Sequence, residues 1–245
     1  MCGRYFWTHD AEDALEEDFP ELVGQILRQA DAPGKMAVQR VGDYTPAMKA
    51  LALTGGDARE TMGYAASAAS NAGYAMNSAG YAGGDAVSRG GYENGTPHMH
   101  LTAQVLQWGF LGFDKGNLLI NARAESVMDR PTFRGSFEQG RCVLPAAGFY
   151  EWDKSKEKVT FTVPSKPILY LAGIWRLYGP EQRFVILTRE ANASMVPVHD
   201  RMPLILTKEE VTPWVSERAE AERLLTKELP MLQAERPYEQ LTFEW

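Results

Sequence analysis

The 245-residue sequence is poor in the residues that build stapled or metal-held proteins: it has two cysteines, Cys2 and Cys142, and four histidines. Two cysteines make no disulfide framework, so the expected compartment is a reducing cytoplasm. Neither has a partner at metal-ligand spacing, which excludes the common structural zinc patterns. His98 and His100 form an HxH pair, but no cysteine or carboxylate motif accompanies it, and it reads as solvated loop. No metal and no cofactor are expected. Apolar runs of membrane-spanning length are missing, as is the basic-then-apolar opening of a secretory leader, so no membrane partner is expected. Positive charge is also short, with 25 Lys and Arg against 32 Asp and Glu for a net charge of −7. That balance argues against the broad basic face of a non-specific duplex binder and leaves room for a narrow cationic groove.

A second scarcity is local. From Gly55 to Pro97 there is no Leu, Ile, Phe or Trp, while ten of the 22 glycines fall there with a loose Gly-Tyr-Ala repeat at Gly63, Gly73 and Gly80. Such a stretch buries too little apolar surface to offset the entropy of ordering it. The expectation is a low-complexity insertion at about 55–97 in an otherwise single domain covering 1–245.

On either side the chain is patterned. Tyr5-Phe6-Trp7 reads as a strand, and His9 to Phe19 and Glu21 to Ala30 have helical spacing divided by Pro20. Val38 to Thr54 reads as extended, with a turn at Gly42-Asp43. Past the insertion, strands are expected at Leu101–Phe110, Leu118–Ala122, Arg141–Leu144, Gly148–Trp152, Val159–Val163, Ile168–Leu177, Phe184–Thr188 and Pro203–Leu206. Short helices are expected near Thr132–Gln139, after Thr207, and over Glu217–Leu229. Thr207 and Glu210 have capping-box spacing. Many strands, few helices and no βα alternation imply an α+β fold on an antiparallel sheet or barrel-like core with peripheral helices. Nothing in the pattern calls for an obligate partner subunit, and a monomer is expected.

Polar residues inside apolar strands carry the chemical information, because burying them costs free energy unless they are paired or used. Asn121 follows Leu118-Leu119-Ile120, Glu151 lies between Tyr150 and Trp152, and His199 follows Met195-Val196-Pro197-Val198. Each has a plain structural use as well: a turn cap, an arginine partner, a satisfied core histidine. A carboxylate among aromatics has a raised pKa, which suits proton transfer near neutrality. At the other end of the chain, removal of Met1 makes Cys2 a residue with both an α-amine and a thiol. The reference values are about 7.7–8.0 for the amine and about 8.5 for the thiol, so both are within reach of nucleophilic use at neutral pH.

Five blocks together resemble the signature of the SRAP family, the SOS-response-associated peptidase-like proteins. They are Met1-Cys2-Gly3-Arg4-Tyr5; Trp108-Gly109-Phe110; Ile120-Asn121-Ala122-Arg123-Ala124-Glu125; Arg141-Cys142 running on to Gly148-Phe149-Tyr150-Glu151-Trp152; and Val198-His199-Asp200-Arg201-Met202-Pro203. The resemblance implies a protein that crosslinks to abasic sites in single-stranded DNA, with lyase and self-processing activities, located in the cytoplasm and on the nucleoid when DNA-bound. It implies that Cys2 is the covalent nucleophile and forms a thiazolidine with the ring-opened sugar. Glu151, His199 and Asn121 would manage protons and hold the sugar. Arg4, Arg123 and Arg201 would bind phosphates, with Trp108 and Trp152 contacting bases. Cys142 receives no such role and reads as a small buried hydrophobe. The long insertion and the closing Leu241-Thr242-Phe243-Glu244-Trp245 depart from the family pattern. Two other readings use the same residues: an N-terminal-nucleophile amidase or peptidase, and a non-catalytic single-strand-binding module.

Overall fold

The computed structural model describes residues 3–25, 41–55, 92–93, 96–97, 101–112 and 116–236. In chain order the strands are β1 (Arg4–Trp7), β2 (Gly42–Tyr44), β3 (Lys49–Gly55), β4 (Tyr92–Glu93), β5 (Thr96–Pro97), β6 (Leu101–Trp108), β7 (Phe110–Leu111), β8 (Leu118–Leu119) and β9 (Asn121–Arg123). They continue as β10 (Arg141–Ala146), β11 (Gly148–Trp152), β12 (Lys158–Thr162), β13 (Leu169–Tyr178), β14 (Glu181–Glu190), β15 (Arg201–Pro203), β16 (Ile205–Leu206) and β17 (Gln233–Glu235). The helices are α1 (His9–Asp18), α2 (Pro131–Gln139), α3 (Lys208–Ser216) and α4 (Arg218–Leu224).

The larger sheet closes on itself. Its path runs β14-β6-β3-β10-β13, and β13 pairs back onto β14, giving a five-stranded barrel. A ring of five strands cannot be antiparallel throughout, since directions must match after one circuit; one pair has to be parallel. That pair is β14 with β6, and the other four are antiparallel. Closure also removes the unpaired edges that an open sheet leaves exposed. The interior is tight. A Cβ on Gly173 would lie 2.7 Å from Leu144 Cδ2 and 3.0 Å from the Val185 carbonyl oxygen.

A second sheet, ordered β17-β12-β11-β1-β2, grows out of the barrel where β10 passes into β11 at Ala147. The Ala147 N–H donates to the Phe6 carbonyl at 2.8 Å, so β1 is stitched to the corner itself. Gly148 begins β11 opposite Phe6, and a Cβ there would meet the Phe161 carbonyl at 2.5 Å and the Phe6 ring at 2.7 Å. Only glycine permits this approach. Buried residues of both sheets merge into one core.

The α+β, barrel-based architecture expected from the sequence is the one observed. α1 starts where Thr8 caps it, its Oγ1 accepting from the Ala11 N–H at 3.2 Å, and α3 carries the expected Thr207–Glu210 capping box. Three details differ. Gly42-Asp43 lies within β2, and the reversal comes at Pro46-Ala47, where Ala47 takes φ 72° and donates to the Trp108 carbonyl. The last helix spans only Arg218–Leu224. The following chain supplies β17, which the polar Gln233-Ala234-Glu235 gave no reason to expect. The expected helix over Glu21–Ala30 lies partly outside the described residues, as do most of the 55–97 insertion, His98, His100 and the C-terminal 237–245; Pro20–Leu22 is a 3₁₀ turn.

Candidate active site at the seam of the two sheets

Among the described residues expected at the site, Glu151 is the most buried with a titratable side chain. Along β11 side chains alternate, so Glu151 shares a face with Phe149, which is fully buried and stacks on Phe161. Its register partner is Val159, also fully buried, and Glu151 itself is 5% exposed. Burial pushes its carboxyl above the ordinary carboxylate range, and the His199 imidazole, when charged, pulls it back. The two residues are therefore electrostatic neighbours although 48 positions separate them.

Asn121 opens β9, which lies parallel to β14 with Asn121 opposite Ile186. The residue before it is fixed from two sides: the Ile120 carbonyl accepts the Trp108 Nε1–H at 2.9 Å and the Ile186 N–H at 3.2 Å. Here the sequence reading of Trp108 needs correcting. Expected as a base contact, Trp108 is 1% exposed, packed between Tyr5 at 5.3 Å and Phe184 at 6.0 Å between ring centroids. A ring with no open face cannot stack on a base. Its work is to tie β1 and β14 to the strand that carries Asn121.

His199 sits in the turn before β15, partly buried. Its Nδ1 lies 2.9 Å from the Arg201 backbone nitrogen and 3.0 Å from Asp200 Oδ1. Nδ1 has either a lone pair or a proton, so these contacts belong to different protonation states. In the neutral ring Nδ1 accepts from the Arg201 N–H and the proton is on Nε2. In the imidazolium Nδ1–H faces the Asp200 carboxylate, which is largely solvated.

Arg201 has protein partners that the sequence did not announce. Its guanidinium grips Glu125 in a fork, Nη1 to Oε1 at 2.8 Å and Nη2 to Oε2 at 2.7 Å, and Nη2 further donates to the Thr188 carbonyl at 2.6 Å. Three of its four Nη hydrogens are thus engaged by the protein, and Nε is buried. Glu125 in turn accepts the Glu190 N–H at 3.0 Å. Partial burial alone would raise the Glu125 carboxyl, but the Arg201 and backbone hydrogen bonds outweigh it and lower it to about 2. The sequence reading assigned Glu125 no role. No local signal existed, since its partner lies 76 residues away.

At the rim, the Arg4 guanidinium lies over the Trp152 ring at 5.2 Å from its centroid, and Trp152 is 39% exposed. Phe6 stacks on Tyr150, whose ring also carries the Lys158 ammonium. Burial, together with the Asp43 carboxylate, pushes the Tyr150 hydroxyl up to about 12. Arg123, at the end of β9 opposite Thr188, is exposed, and its side chain makes no hydrogen bond or ion pair among the described residues. Cys2 lies outside the described residues. Cys142 is fully buried in β10, where burial pushes its thiol well up, in keeping with a packing role. Among the described residues no group of three or more His, Cys, Asp or Glu side chains is arranged to hold a metal ion, and no helix is long and apolar enough to cross a membrane.

Comparison with known proteins gives this arrangement a context. Over 125 residues the chain is 34% identical to the abasic site processing protein YoaM of Bacillus subtilis, covering 45% of this chain and 55% of that protein. It is 32% identical over 127 residues to the abasic site processing protein YedK of Escherichia coli, covering 48% and 56%. The matched stretch spans about half the length of these curated relatives. A crystal structure of a Bordetella bronchiseptica protein superposes with a TM-score of 0.63 over 96% of this chain and 99% of that one at 19% identity, a likeness of fold. The family model described as SOS response associated peptidase (SRAP) matches residues 1–243, and the chain belongs to that family.

Proposed function

We propose that this protein acts on abasic sites in single-stranded DNA and forms a covalent thiazolidine with them through Cys2. The observation that carries this reading is a buried carboxylate, Glu151, on the strand paired with the one that leads back to Cys2, close enough to His199 to feel its charge. Arg4 pairs with Tyr150, the neighbour of Glu151. Consecutive Cα atoms are about 3.8 Å apart, so chain connectivity keeps Cys2 within about 8 Å of Arg4. The names of the matched relatives, abasic site processing proteins, support the same substrate.

The chemistry balances without a cofactor. Hydrolysis of the Met1–Cys2 peptide bond frees the α-amine. The open-chain aldehyde of the abasic sugar accepts that amine to give a carbinolamine, which loses one water to form an imine. The thiol then adds to the imine carbon while its proton passes to nitrogen, closing a five-membered ring. Each stage moves a proton, and a carboxyl whose pKa is raised by burial, with an imidazole in its neighbourhood, supplies groups that can give and take it. Asn121, an uncharged amide, orients the sugar or amine. Strand cleavage by β-elimination from the imine is the competing fate, and ring closure by the thiol protects against it. Self-processing of Met1 uses the same acid–base groups.

For the DNA grip, the exposed Arg123 and the Arg4–Trp152 stack are the groups best disposed, Arg for phosphate and the half-open indole for a base face. Arg201 has one Nη hydrogen left for a phosphate. The test is direct. Mature protein incubated with a single-stranded oligonucleotide containing one abasic site gives an adduct that survives denaturing electrophoresis, and Cys2→Ala gives none. Protein shown by intact mass to have lost Met1, yet forming no adduct, would refute the reading.

A further inference from the structure

Glu125 stands immediately after β9, in the 3₁₀ turn Ala124–Ser126, and Arg201 is the first residue of β15. These two elements flank β14 from opposite edges, β9 at Ile186–Thr188 and β15 at Thr188–Glu190. The Glu125 carboxylate closes over the end of β14. It receives the Arg201 fork on both oxygens and the Glu190 N–H on Oε1, and Glu190 and Arg201 are themselves register partners. One side chain therefore fixes both members of the strand pair from which the His199 turn springs. Arg201 Nη2 adds a bond to the Thr188 carbonyl, so the guanidinium cannot swing without breaking three contacts.

The backbone of the same arginine touches His199, its N–H lying on Nδ1 at 2.9 Å. A neutral imidazole whose Nδ1 accepts a hydrogen bond carries its proton on Nε2. We propose that Glu125 is a positioning residue: by pinning Arg201 it holds the Arg201 N–H on His199 Nδ1, which fixes both the ring orientation and the Nε2–H tautomer used in proton transfer. The same clamp joins the strand of Asn121 to the turn of His199, so the two groups move as one unit. The inference rests on the proposed role of His199 in imine chemistry, but its first readout needs no DNA.

That readout is the imidazole nitrogen spectrum of the full-length protein above the titration range of its histidines. With only four histidines, His199 is identified by the signals lost in His199→Gln. The wild-type protein is expected to show an acceptor-type Nδ1 and a protonated Nε2. Glu125→Gln, isosteric and folded by circular dichroism, is expected to move both resonances toward the averaged position of a ring exchanging tautomers. Arg201→Lys, which keeps the charge but loses the fork, is expected to do the same. In the crosslinking assay both variants slow adduct formation about tenfold or more, the range over which a misplaced acid–base group acts. Wild-type nitrogen shifts in folded Glu125→Gln, or an unchanged crosslinking rate, overturn the positioning role. Absence of any adduct from mature wild-type protein overturns the proposed function instead, and the nitrogen spectrum then decides the clamp by itself.

Discussion

Replacing Trp108 by phenylalanine separates two accounts of the same residue, as a base-stacking platform or as an internal tie. The structure supplies the magnitudes. The substitution removes the Nε1–H bond to the Ile120 carbonyl, worth about 1 kcal/mol net. It also leaves a gap between Tyr5 and Phe184 at a site that is 1% exposed. Truncating a core tryptophan to alanine costs about 3–5 kcal/mol, and phenylalanine keeps most of the ring, so about 1–2 kcal/mol is assigned to packing. The sum is about 2–3 kcal/mol. At about 2–4 °C per kcal/mol for a chain of this size, Tm should fall by about 5–10 °C. Thermal unfolding followed by circular dichroism measures the loss. Fluorescence anisotropy with an undamaged single-stranded oligonucleotide, well below Tm, should find the Kd unchanged within about twofold. Loss of a base stack would instead weaken binding by about 1–3 kcal/mol. An unchanged Tm with a Kd weakened at least fivefold would refute the internal-tie account.

Two further substitutions test the buried charges. Burial raises the folded-state pKa of Glu151 above its ordinary 4.5, so this group favours the folded state below that pH and the advantage is lost as pH rises through the folded value. Glu151→Gln should therefore be more stable than wild type at neutral pH and converge with it toward pH 4.5 in urea midpoints, while crosslinking more slowly throughout. Arg141 is 6% exposed and donates to the carbonyls of Phe137 and Glu138 at the end of α2 and of Trp214 and Val215 at the end of α3. Arg141→Met should cost about 3–5 kcal/mol, because it strands several buried helix-terminal carbonyls at once; the urea midpoint measures it, and a loss below about 1 kcal/mol would count against this capping role.

What could be read from the sequence was what short-range physics controls. Thr8 and Thr207 announce helix starts because a cap is made within three residues, and Lys158–Thr162 alternates because a strand has two faces. Glu151 was legible as unusual because a carboxylate inside an aromatic strand is costly wherever that strand lies. The misses share another cause. Trp108 belongs to a strand whose neighbours come from Lys49–Gly55 and Glu181–Glu190, and whether its ring faces solvent depends on how those distant segments close around it. Arg201 gave no sign in the sequence that most of its Nη hydrogens go to protein acceptors, chiefly a carboxylate 76 residues away. Gln233–Glu235 becomes a strand because β12 offers it an edge, against its own composition.

The position of the site follows from barrel closure. With five strands, one parallel pair is unavoidable, and it falls at β14, whose ten residues exceed what β6 uses: β6 pairs only at Arg183 and Phe184. The unused half of that edge, Ile186 to Thr188, takes β9 in the same parallel sense and so fixes where Asn121 and Arg123 lie. On the other edge β13 pairs up to Ile186 and β15 continues from Thr188, which sets the turn bearing His199. Glu151 comes from the opposite direction, on the strand that leaves the barrel at Gly148 with β1 stitched beside it. The expected site residues thus come from both sheets: Asn121 and His199 from the two edges of β14, and Glu151 from the strand that leaves the barrel. β1 is the one element at the seam of the sheets within two residues of Cys2.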